Sequence, residues 1–165
     1  MNGKELIKAA MSLQQTERTP WVPFVGCHGG SLIGVDAGEY LKSEDNIVRG
    51  ASEAVRRYKP DGLPVVFDLQ IEAEILGCEL MWAAENPSAV CSHPLMKGMT
   101  LQDLHIPEKE QGRLPIVLKA AGRIRDNHPD IALYGLITGP FTLAMHLCGY
   151  DLFMKMHREK QYIIE

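Results

Sequence analysis

Cys27 and His28, Asp68, Glu72, Thr142 and His146 are the side chains whose type and position could carry chemistry in this sequence. Cys27 and His28 follow the apolar run at 21–25, and Asp68 closes the apolar run at 63–67. Glu72 stands four residues beyond it, while Thr142 and His146 follow the run at 131–136 across Thr138-Gly139-Pro140. An ionised carboxylate only accepts hydrogen bonds, an imidazole can move a proton near neutral pH, and a thiol becomes a nucleophile once it is deprotonated. Asp68 has two readings, as an acceptor for a bound ligand or as the N-cap of the helix that follows, and both can hold together.

Other groups invite chemistry less well. Glu72 and Glu74, two residues apart on a helix, point to different faces and cannot share one proton. Glu72 then either faces the site or is a solvated helix residue. Cys91-Ser92-His93 lacks the spacing of a four-ligand zinc motif, so the sequence assigns no metal ligand. The glycine-rich stretch at 26–34 has neither a GxGxxG nor a Walker pattern.

The elements that must hold these residues can be read from periodicity. A helix is expected over 2–14, from Leu6, Ile7, Ala10 and Met11, and a buried strand over 21–25. Asp36 can cap a short helix to Leu41, and Ser43 or Asp45 a longer one ending at Tyr58 before Lys59-Pro60. A second strand is expected over 62–67, without the polar alternation of a half-exposed sheet. A short helix over 69–76 stops at Gly77, and 78–82 can form a small extra strand.

Residues 83–107 carry Pro87, Pro94, Gly98 and Pro107, which reads as a long excursion with at most one short helix near Leu101. A helix over 112–127 rests on Leu114, Val117, Leu118, Ala121 and Ile124, with Arg123 and Arg125 late in it. A third strand over 131–136 leads into a helix over 141–147. Asp151 is expected to cap a last helix that runs to Glu165. This alternation generates an α/β fold, with a parallel sheet and helical crossovers.

Composition narrows the partners. The 165 residues are 45% hydrophobic and 23% charged with a formal net charge of -4, which gives a foldable core and no basic field for nucleic acid or anionic lipid. No apolar stretch approaches a membrane span, and the amphipathic N-terminus is unlike a signal peptide, so a cytoplasmic protein with a small-molecule substrate is expected. The four cysteines lie far apart without a CxxC pair, as free thiols do.

The segment Val65-Val66-Phe67-Asp68-Leu69-Gln70-Ile71-Glu72-Ala73-Glu74-Ile75-Leu76-Gly77-Cys78 resembles the second-strand signature of the methylcobamide methyltransferases, which share a fold with uroporphyrinogen decarboxylase. Gly139-Pro140-Phe141-Thr142-Leu143-Ala144 resembles the turn after the third strand in both families, and the opening helix with Arg18-Thr19-Pro20 resembles their first strand region. The resemblance implies that residues 1–165 are the N-terminal part of a single (β/α)8-barrel domain, about the first three strands and their helices. A whole barrel needs on the order of 250 residues, so a truncated chain is expected. Barrel enzymes gather chemistry at the C-terminal ends of the strands, where the candidate residues fall.

The resemblance also implies roles. The aspartate matching Asp68 holds the pyrrole NH groups in the decarboxylases, and Asp68 and His146 are the catalytic candidates. Cys27, His28, Asp68, Glu72 and Thr142 are the substrate-binding candidates. Two departures turn the expectation away from porphyrin chemistry. The arginine-bearing motif that binds substrate carboxylates is replaced by Gly26-Cys27-His28-Gly29-Gly30-Ser31, and the tyrosine expected past Thr142 is His146.

A corrinoid-dependent methyltransferase is therefore expected, moving a methyl group from a methylcobamide protein to a thiol or related acceptor. Zinc is implied for the complete enzyme, through a histidine and two cysteines outside this chain. The partners implied are a small-molecule substrate, possible pairing with a corrinoid protein, and a possible homodimer. The alternatives are decarboxylation of uroporphyrinogen III to coproporphyrinogen, which needs no cofactor, and a silent fragment or half-domain that docks a corrinoid protein.

Overall fold

The computed structural model describes residues 1–159 and 161. In chain order the elements are α1 (Gly3–Met11), α2 (His28–Leu32), α3 (Ala37–Leu41), α4 (Glu44–Tyr58), β1 (Gly62–Pro64) and α5 (Ile71–Ile75). The hairpin strands β2 (Leu80–Met81) and β3 (Ala89–Val90) follow, then 3-10 turns at Pro94–Met96 and Leu101–Asp103. The chain continues through α6 (Leu114–Asn127), β4 (Ala132–Tyr134), α7 (Pro140–Cys148) and α8 (Asp151–Arg158). These elements divide between two compact units.

The first unit comprises Met1–Asp68, Trp82–Pro87 and Arg113–Leu136. Its sheet is the parallel pair β1 and β4, in the register Gly62↔Ala132, Leu63↔Leu133 and Pro64↔Tyr134. The core is where α4 meets α6: Ile47, Ala51 and Ala54 on one helix and Ala120 and Ile124 on the other are essentially sealed from solvent. That packing follows from residues recurring at helical spacing on facing helices. Ser43 caps α4 by accepting the Asn46 amide, and Glu44 and Asp45 in its first turn both accept from Arg123 of α6. Helix α1 begins in a capping box between Asn2 and Glu5 and is tied to the strand end by Lys4 N–H donating to the Asp130 carbonyl.

The expected first strand does not pair as a strand. Residues 21–25 form no ladder. The Asp61 amide donates to the Trp21 carbonyl and the Trp21 amide to the Asp61 carboxylate, while Pro20 and Pro23 supply no donor. The segment is held instead by Phe24, edge-on to Phe67 at 5.1 Å and to Tyr134 at 6.3 Å. The second and third strands are shorter than the apolar runs suggest, and one further bond, from the Val65 amide to the Tyr134 carbonyl, extends the pairing. The observed sheet of this unit therefore has two parallel strands where the barrel expectation has three.

The second unit comprises Leu69–Met81, Ser88–Gly112 and Ile137–Glu165. Ala73, Leu76, Cys78 and Leu147 form its core, flanked by Val90, Leu95, Leu104 and Leu143. The excursion supplies the antiparallel hairpin partner β3 and two 3-10 turns where one short helix is expected. Tyr150 occupies the cap position of α8, so Asp151 is its first residue and not its cap. The expected continuation of that helix to Glu165 falls largely on residue 160 and residues 162–165, outside the described residues. Helix α2 arises within the glycine-rich stretch, where periodicity gives no warning of it. No helix among the described residues is long and apolar enough to cross a membrane.

Candidate functional site

Asp68 lies in the connection that follows β1 (Gly62–Pro64), and its side chain is fully enclosed. Arg113 reaches it from the cap position of α6, with Nη1 2.5 Å from Oδ2, and donates also to the Leu41 carbonyl at 3.4 Å. The arginine is itself buried and lies against the Trp82 indole, 4.9 Å from the ring centroid, where Lys42 Nζ also approaches to 3.7 Å. Both ions of the pair are desolvated, which is tolerable only when each answers the other's charge. The capping alternative for Asp68 does not occur: Gln70 holds the cap position of α5 and makes no side-chain cap bond.

Cys27 is half-buried within the field of Asp68. Burial, and then the Asp68 charge, push its thiol pKa up, so it is held as a thiol and not as a thiolate. His28 is exposed, with Nε2 2.7 Å from the Tyr58 hydroxyl and the two rings stacked at 5.9 Å. Tyr58 ends α4, so His28 is engaged by a helix terminus.

The remaining candidates belong to the second unit. Glu72 is bound by Thr138 in two ways: the Thr138 amide donates to Oε1 at 3.3 Å, and the hydroxyl lies 2.9 Å from Oε2. The hydroxyl carries one hydrogen, which is shared between the Glu72 carboxylate and the Leu69 carbonyl, the latter at 2.6 Å. The segment bearing Leu69 and Glu72 and the turn entering α7 are thus stapled to each other. Thr142 and His146 occupy successive turns of α7, four residues apart and on one face.

His146 has a buried Nδ1 with no hydrogen-bond partner among the described residues. Burial lowers its pKa, the neighbouring His93 lowers it further, and Glu72 acts in the opposite sense. The His146 carbonyl, near the end of a helix where carbonyls lose their partners, accepts from His93 Nδ1 at 2.8 Å and from the Cys78 thiol at 3.3 Å. A carbonyl only accepts, so Nδ1 of His93 carries the hydrogen. Behind that ring Gly149, at φ +59°, leaves no room for a Cβ, which would sit 2.8 Å from His93. The adjoining cavity of about 470 Å³, walled by Leu95, Leu104, Leu143, Leu147, Leu152 and Met156, is apolar.

The site residues therefore fall into two sets: Cys27, His28 and Asp68 in the first unit, and Glu72, Thr142 and His146 in the second. Sequence reasoning missed Arg113 and weighed His93 only beside Cys91 as a metal ligand. A signal for Arg113 was present: a cation at a helix N-terminus opposes the helix dipole and calls for an anionic partner. His93 carried no comparable signal. Among the described residues no group of three His, Cys, Asp or Glu side chains could hold a metal ion, and Cys91 spends its thiol on the Glu79 carbonyl.

A profile described as uroporphyrinogen decarboxylase (URO-D) matches residues 2–163. The methylated-thiol–coenzyme M methyltransferase of Methanosarcina mazei is 34% identical over 88 residues, covering 52% of this chain and 23% of that protein. The methylcobamide:CoM methyltransferase MtaA of Methanosarcina barkeri is 31% identical over 121 residues, covering 70% of this chain and 35% of that one. A solved structure, a methyltransferase from Methanosarcina mazei, superposes over 100% of this chain and 50% of its own, with a TM-score of 0.86 at 23% identity. The matches thus span half or less of the length of these relatives, and the structural likeness at that identity establishes the fold.

Proposed function

Since the chain belongs to the uroporphyrinogen decarboxylase family, we propose that it is part of a corrinoid-dependent methyltransferase with a partial (β/α)8 barrel, one that passes a methyl group from a methylcobamide protein to a small thiol. The observation that carries this choice within the family is the state of Arg113. A substrate bearing many carboxylates needs exposed guanidinium groups to receive them. Residues 26–31 have none, and the arginine brought to Asp68 is buried against that aspartate. Relatives named as methylcobamide:CoM methyltransferases support the same choice.

In this reading the acceptor is an added small thiol and not Cys27, because burial and the Asp68 charge keep the Cys27 sulfur protonated. The acceptor sulfur forms its bond to the methyl carbon as the bond to the donor breaks, with that bond's electron pair leaving on the donor. His146, held neutral by burial, is placed to take a proton or to accept a hydrogen bond from substrate, and Thr142 one turn earlier offers a hydroxyl. Asp68 acts as a fixed charge rather than as an open receptor. A zinc ion, when bound, would supply a thiolate at neutral pH. The described residues provide no three-ligand set for it, so none of them is assigned to it.

The test is a paired incubation. The protein carrying this sequence is given methylcobalamin and a small thiol in one tube and uroporphyrinogen in another. Thiol-dependent loss of methylcobalamin with unchanged uroporphyrinogen is expected. Coproporphyrinogen without demethylation would assign decarboxylation instead.

A further inference from the structure

Arg113 and the two side chains it meets, Asp68 and Trp82, share a topological property in the first unit. Asp68 is the last residue of the segment Met1–Asp68, Trp82 is the first of Trp82–Pro87, and Arg113 is itself the first of Arg113–Leu136. The ends of three separate stretches of chain therefore meet at one guanidinium. We propose that Arg113 is a positioning residue that fixes where the chain leaves and re-enters this unit, holding Asp68 by charge and Trp82 by the face of its indole. This goes beyond the proposed reaction and does not depend on it.

The local chemistry supports the assignment. Arg113 Nη1 donates to both the Asp68 carboxylate and the Leu41 carbonyl, while the guanidinium carbon stands over the Trp82 ring, 4.9 Å from its centroid. An ammonium could answer the charge from a single point, whereas a planar, delocalised guanidinium reaches the carboxylate and the ring together. The backbone that delivers the arginine is specified as well. Gly112 has φ +52°, and a Cβ there would stand 2.7 Å from Ile75 Cγ1, so only glycine enters this turn without strain. The Trp82 segment has a further tether, since the Ala84 carbonyl accepts the Ala37 amide at 2.7 Å. That bond secures the middle of the segment, while its first residue lies against Arg113 and Lys42.

The inference is tested in a Trp21→Phe background, where Trp82 is the remaining tryptophan. Arg113→Lys keeps the charge and loses the planar guanidinium. Its helical circular dichroism should be retained, while Trp82 emission shifts and iodide quenching rises. Cleavage by a glutamate-specific protease after the exposed Glu85 should accelerate about tenfold relative to cleavage after the exposed Glu17, which is remote in sequence from the node. Should Arg113→Lys fail to fold, Asp68→Asn, which leaves the arginine in place, is read by the same ratio and the same emission. The proposal is overturned if Trp82 emission and the ratio stay at the parental values. It is also overturned if cleavage at Glu17 and Glu85 rises equally, which would mark a residue that stabilises the whole unit without positioning these segment ends.

Discussion

Thr138 meets Glu72 with both its amide and its hydroxyl, at 3.3 Å and 2.9 Å, and so joins two segments of the second unit that are 66 residues apart in sequence. The residue that the family signature offers as a substrate contact is therefore also a structural latch. Thr138→Val removes the hydroxyl but keeps the shape, and strands the Leu69 carbonyl in a half-buried site. A loss of about 1–3 kcal/mol in urea unfolding is expected. Glu72→Gln should cost less, because an amide oxygen still accepts the Thr138 amide. An unchanged unfolding free energy for Thr138→Val would mean that the hydroxyl contributes nothing.

The Asp68 and Arg113 pair should behave as a buried ion pair. Asp68→Ala or Arg113→Met alone leaves an uncompensated charge in a sealed site and should destabilise by about 3–5 kcal/mol. The double variant should be less destabilised than the sum of the two, because it leaves neither charge behind. Additive losses in equilibrium denaturation would show that the two side chains are energetically independent.

The Arg18 and Asp61 pair makes a pH prediction. The bond from Arg18 holds the Asp61 carboxyl below its ordinary pKa, with burial opposing that shift and the Trp21 amide assisting it. A carboxyl whose folded pKa is depressed contributes stability above its unfolded value of about 3.9, and loses it as pH falls through the folded value. The stability gap between the parent and Arg18→Met should therefore be complete at pH 7, and should shrink from about pH 4 downward. A gap independent of pH across thermal unfolding curves would refute the linkage.

Thiol labelling checks the assignment of Cys27. The cysteines are free: Cys91 is exposed, whereas Cys78 and Cys148 are buried and Cys27 is half-buried. Burial pushes the Cys78 thiol up to about 11. With a limiting alkylating agent at pH 8, Cys91 should label first and Cys27 well behind it. Peptide mapping that found Cys27 labelled ahead of Cys91 would reopen its role as a nucleophile.

What the sequence revealed and what it hid have physical causes. Helix α4 was legible to its ends, because Ser43 is a good cap and Lys59-Pro60 a firm stop. Helix α6 and the entry into α7 were legible for similar reasons, from apolar spacing and an early proline. The run at 21–25 looked like a strand because its residues are apolar, yet ladder pairing needs donors that Pro20 and Pro23 lack. Asp68, Glu72 and His146 could be singled out by type and position. Their partners Arg113, Thr138 and His93 stand 45, 66 and 53 residues away in sequence from the groups they bind, beyond the reach of local pattern.

The central claim, transfer of a methyl group to a small thiol, is tested most directly with a deuterium-labelled methyl donor. The protein carrying this sequence is incubated with trideuteromethyl-cobalamin and 2-mercaptoethanesulfonate, and both the small thiol and the protein's cysteine peptides are read by mass spectrometry. The account predicts the labelled methyl on the added thiol and none on Cys27. Label on Cys27, or no transfer by a protein that releases carbon dioxide from uroporphyrinogen, would contradict it.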